Sequence, residues 1–138
     1  MPAIRHGPRR PPRKPLSRRP ERGSTTVEIT VLLPVVMLLL MSVVQAGIYF
    51  HTRAVATTAA RKAVTAARIE DGTGGDGQLV AEQFLDQNGA ALLSQAVNVT
   101  RSDSTATATV SGDVASVLFG FPFSVTVTVD APVERVMP

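Results

Sequence analysis

The chain has 138 residues, room for one domain with appendages, and contains neither cysteine nor tryptophan, which excludes disulfides and thiolate metal sites and argues against a large self-sufficient core. Its formal charge of +3 is unevenly divided: residues 1–23 hold eight Lys/Arg against one Glu, a net of +7, and residues 51–138 hold six Lys/Arg against nine Asp/Glu, a net of −3. The only histidines, His6 and His51, cannot build a His-dependent triad or a multi-His metal site. No phosphate-cradling glycine loop follows a strand, so an enzyme, a cofactor or a small-molecule substrate is not expected.

Residues 1–22 carry Pro2, Pro8, Pro11, Pro12, Pro15 and Pro20 with almost no apolar surface to bury, and they read as a disordered basic leader, 1–23, that cannot hold a helix. An arginine-rich arm of this kind also suits a nucleic-acid tail. Membrane orientation explains both its position and the charge asymmetry, so no nucleic-acid partner is expected.

Residues 29–50 contain no charge. As a helix they extend about 33 Å, against about 30 Å for a bilayer core, long enough to span. A transmembrane helix over 24–50 is therefore expected. The basic flank holds its N-terminal side in the cytoplasm and places the rest beyond the membrane. Pro34 near the start removes one internal hydrogen bond and predicts a kink or a loosened turn. Tyr49 and Phe50, followed by His51 and Arg53, mark the outer interfacial end.

Residues 51–70 are alanine-rich and free of Gly and Pro, so the helix is predicted to continue to about Ile69. Ala54, Ala56, Ala59, Ala60, Ala63, Ala66 and Ala67 permit close approach, either by the chain's own small domain or by a neighbour. Residues 71–77, with four glycines and two aspartates, break that helix as a flexible turn. Their spacing lacks the oxygen ligands of an EF-hand loop.

A small extracytoplasmic α+β domain is expected over 71–138. Residues 78–96 predict a second helix with a stripe of Leu79, Val80, Phe84, Leu85, Leu92, Leu93 and Ala96, interrupted by Gly89. Period-two alternation then predicts three half-buried strands, at 97–100, 105–110 and 123–130, in an antiparallel sheet. The apolar loop at 111–122 is too short and broken for a second span. It either caps the sheet or meets a partner.

The functional constellation is Gly23-Ser24-Thr25-Thr26-Val27-Glu28. A charged side chain at mid-membrane costs on the order of 3 kcal/mol, less toward the interface. Glu28 on the first helical turn is eased by the positive end of the helix dipole. It serves either as an interfacial N-terminal charge or as an assembly contact. In the second case a peptidase cuts between Gly23 and Ser24, and the new cationic amine of Ser24 in one subunit pairs with Glu28 of another.

Arg22-Gly-Ser-Thr-Thr-Val-Glu-Ile-Thr-Val-Leu-Leu-Pro34, the apolar span and Ala59-Ala-Arg-Lys-Ala-Val-Thr-Ala-Ala67 together resemble the TadE-like pseudopilins of the tight-adherence (Tad/Flp) pilus system. The segment Leu118-Phe-Gly-Phe-Pro-Phe-Ser-Val-Thr-Val-Thr-Val129 is similar to the C-terminal region of many of them. Ile29 stands where an aromatic often follows the glutamate, and Gln45 where an acidic residue often precedes Ala46-Gly47.

The resemblance implies a pilin-like fold and a minor pilin or pseudopilin acting in pilus assembly, single-pass in the bacterial cytoplasmic membrane and open to extraction into a pilus. A prepilin peptidase would cut after Gly23 to leave Ser24 as N-terminus, with Glu28 as the recognition and packing carboxylate. Its partners would be that peptidase, other pilins or pseudopilins and membrane lipid. Two other readings stand beside it. One is an uncleaved single-span anchor of an extracytoplasmic binding domain. The other is a secreted protein whose signal peptide is cut after Val44-Gln45-Ala46.

Overall fold

The computed structural model describes Gly7, residues 22–118 and residues 120–133, without the side chains of 22–26. Of the leader expected over 1–23, residues 1–21 thus lie, Gly7 apart, outside the described residues, and Arg22 and Gly23 open the first helix. Met1–Pro34 and Val35–Pro138 form two units. The elements are α1 (Arg22–Arg68), α2 (Gly74–Asn88), β1 (Leu92–Arg101), β2 (Thr105–Val114) and β3 (Phe123–Pro132), the α+β class expected from the patterning.

In the first unit α1 begins at Arg22, two residues before the expected start, and the helix runs through Pro34, at which the unit ends. Val27, Ile29, Val31, Leu32 and Leu33 are all exposed.

In the second unit α1 changes character along its length. Leu38, Leu39, Leu40 and Val43 are exposed. From Gln45 onward a stripe of Gln45, Thr52, Ala56, Ala59, Ala60, Ala63, Val64 and Ala67 is buried, at the three- and four-residue spacing of one helix face. The stripe joins the core of the chain's own domain, and Ala54, off the stripe, is exposed. Small side chains there let the backbones approach, so the core rests on alanine and valine, with Leu85 and Val110 its largest fully buried apolar side chains.

Residues 71–77 are not one flexible turn. Thr73 is the N-cap of α2, and the helix takes in Gly74, Gly75 and Gly77. The Thr73 hydroxyl accepts from the Asp76 N–H at 3.1 Å. The Asp76 carboxylate accepts from the Thr73 N–H at 2.9 Å, and the pair closes a capping box. Glycine is required by close approach: a Cβ on Gly77 would lie 2.6 Å from the Ala63 carbonyl oxygen, and one on Gly74 2.7 Å from that of Val99. The buried face of α2 is therefore Gly77, Ala81 and Leu85, with Leu79 and Val80 exposed, which corrects the predicted stripe. The helix also ends earlier than expected, at Asn88 with Gly89 as C-cap, and Leu92, Leu93 and Ala96 belong to β1.

The sheet is an antiparallel meander in the order β1-β2-β3, with Val97 opposite Val110 and Val110 opposite Val127. Inward positions Ala106, Ala108, Val110 and Val125 are buried. The other face is threonine-rich, with the hydroxyls of Thr109 and Thr128 3.1 Å apart. A register shift between Leu93 and Ala96 places Ser94 at φ 49°, in the left-handed region.

Candidate functional site

Two places carry chemistry that the core does not absorb, one in each unit. In the first, Glu28 is exposed on α1 among the exposed side chains of Val27, Ile29 and Val31. Because α1 begins at Arg22 and its first turn holds no acidic residue, Glu28 falls in the second turn, not the first as the sequence implied. The helix-dipole effect decays within one turn, so it helps Glu28 less in the full-length chain than in a helix starting at Ser24. Gly23 and Ser24 have helical backbone, and their side chains lie outside the described residues. Cutting the bond between them requires the first turn to unwind, and helix ends open at little cost in free energy.

In the second unit the site is built on Gln45, which is 3% exposed. Its Nε2 donates to the Ala115 carbonyl at 3.3 Å, and its Oε1 accepts from the Val117 N–H at 2.8 Å. One amide thus satisfies both a donor and an acceptor of the β2–β3 connection. Sequence patterning gave Gln45 no structural role. The available signal was its register, seven residues before Thr52 on the stripe that continues through Ala56, Ala59 and Ala63. A hydroxyl in the apolar stretch is also satisfied, the Ser42 Oγ donating to the Leu38 carbonyl at 2.8 Å.

Beyond the apolar stretch, Lys62 Nζ stands 5.3 Å from the centroid of the Phe84 ring and ties α1 to α2. Arg101, closing β1, donates to the carbonyls of Ile69, Glu70 and Gly72.

α1 is long and apolar enough to cross a membrane by length and composition, and its most apolar stretch is not buried in protein. One such helix in a chain of α+β class fits a single-pass membrane protein. The family model described as TadE-like protein matches residues 23–65, and so bears out the resemblance read from the sequence over 43 of the 138 residues. TadE-like segments belong to structural, pilus-associated proteins of pseudopilin type. No curated protein and no solved structure matches the chain.

Proposed function

We propose that the protein is a minor pilin or pseudopilin acting in assembly of a tight-adherence pilus, matured by a prepilin peptidase after Gly23. The observation that carries this is the TadE-like match beginning at residue 23, on a helix whose exposed apolar surface surrounds one carboxylate, Glu28. The basic leader faces the cytoplasm and the α+β head lies outside. Cleavage gives Ser24 an amine that pairs with Glu28 of an adjacent subunit, so two charges enter the apolar environment together. The partners are the peptidase, other pilus subunits and lipid. The domain organisation is a leader at 1–23, a span at 24–50, a helical extension at 51–70 and a head at 71–138.

Gln45 counts against a secretory signal cut after Ala46, since that cut would remove a buried residue whose amide holds the backbone of Ala115 and Val117. N-terminal sequencing of the membrane-extracted protein, from a host with an active prepilin peptidase, tests the proposal. Ser24 as first residue is the expected result. An unprocessed chain would make it a single-span anchor of an extracytoplasmic binding domain, and Gly47 as first residue a secreted protein.

A further inference from the structure

The connection between β2 and β3, residues 115–122, has no charged side chain, and among its described residues Val117 and Phe121 are not folded into the core. Phe121 is 64% exposed and Val117 39%. Val117 lines a cleft with Met37, Leu40, Met41 and Val44 of α1. Those helix residues span about 10 Å of axis at 1.5 Å per residue, and they belong to the uncharged stretch, not to the polar continuation after His51. Next to the cleft, Leu118 and Pro122 face Ala46, Tyr49 and Phe50 across a groove of about 620 Å³. The loop therefore lies alongside the last turns of the apolar segment.

Irregular backbone persists at membrane depth only where its polar groups are satisfied within the protein. Several polar groups of residues 115–118 are served within the protein, the Ala115 N–H by the Ala91 carbonyl at 2.9 Å. Gln45 serves the Ala115 carbonyl and the Val117 N–H. The Ser116 hydroxyl accepts from the Leu118 N–H at 3.2 Å and donates to the Leu118 carbonyl at 2.9 Å.

We infer that the β2–β3 loop is a second membrane contact of this protein, seated in the outer leaflet beside α1, with Val117 and Phe121 in contact with lipid and Gln45 holding the loop backbone at that depth. The inference rests on the single-pass reading of α1. Lipid is the occupant because the loop's apolar surface is continuous with that of the span itself.

The chain has no cysteine, so single labelling sites can be introduced on the full-length protein. Leu39→Cys, Val117→Cys, Phe121→Cys and Ser104→Cys would each carry an environment-sensitive fluorophore in phosphatidylcholine–phosphatidylglycerol vesicles containing nitroxide-tailed lipid. Quenching at 117 and 121 comparable to that at 39, with little at 104 in the β1–β2 turn, is expected. Quenching at 39 alone would overturn the loop contact while leaving the span in place. Protection of 117 and 121 from aqueous dithionite without quenching would show that protein covers the loop, and would also overturn it. Absence of quenching at 39 would remove the span and the inference together.

Discussion

Arg101, the last residue of β1, donates from its guanidinium to the carbonyl of Ile69, just past the end of α1, at 2.9 Å, and to that of Glu70 at 3.1 Å. These carbonyls follow directly on the helix, where a cationic donor opposes the negative end of the dipole. Arg101→Met keeps much of the aliphatic stem and removes the donors. It is expected to destabilise the head by about 1.5–3 kcal/mol, the range for hydrogen bonds to a charged group. Arg101→Lys should recover only part of this, because an ammonium cannot reproduce the planar fork. Urea unfolding of the detergent-solubilised chain measures both, and equal stability of Arg101→Met and wild type would show the contact to be idle.

Gly77 sets two effects of opposite sign against each other. Helix propensity favours alanine over glycine by about 1 kcal/mol. A Cβ there would sit 2.6 Å from the Ala63 carbonyl oxygen and 3.2 Å from the Ala67 Cβ, and overpacking of this kind costs about 1–3 kcal/mol. Backbone cannot retreat as a flexible side chain can, so the clash is expected to win and Gly77→Ala to lower the melting temperature. Gly75→Ala is the control, since its added Cβ would meet only the Thr73 Oγ1 at 3.6 Å. A stabilising Gly77→Ala would mean that α1 and α2 separate more easily than their contact implies.

These glycines also show where the sequence stops being legible. The apolar run from residue 29, the alanine-rich continuation and the period-two alternation of the three strands each follow from local pattern, and so did the α+β class. The start of α2 did not, because Gly74, Gly75 and Gly77 carry the composition of a turn while answering to neighbours at Val99 and Ala63. The local clue was Thr73 with Asp76 three residues on, a capping box written with aspartate. The end of α2 was obscured because Leu92, Leu93 and Ala96 fit a helical stripe as well as a strand. Gln45 was least legible of all, since its partner Val117 lies 72 positions away.

The capping box gives a pH dependence with a definite sign. Hydrogen bonds from the Thr73 side chain and then the Thr73 backbone N–H hold the Asp76 carboxyl below its ordinary value. A carboxyl depressed in the folded state contributes stability fully present above its unfolded value, about 3.9. That contribution is lost as pH falls through the lower folded value. Asp76→Asn should therefore melt below wild type at neutral pH, and the gap should close on acidification below about pH 4. A gap independent of pH would show that the carboxylate charge plays no part in the cap.

Glu28 tests the assembly mechanism itself. If its role is to meet the Ser24 amine of an adjacent subunit, the neutral isostere Glu28→Gln should insert at least as readily, because the penalty for carrying a charge toward the bilayer is gone. The same substitution removes the partner of the amine, and leaving one member of an ion pair uncompensated in an apolar setting costs about 3–5 kcal/mol. Expected is a protein at wild-type abundance in the membrane fraction, with Ser24 as its first residue, that fails to support piliation. Gly23→Leu should fail earlier, leaving a persistently heavier band. Unprocessed Glu28→Gln would assign the carboxylate to peptidase recognition rather than packing, and wild-type piliation by a processed Glu28→Gln chain would refute the pairing outright.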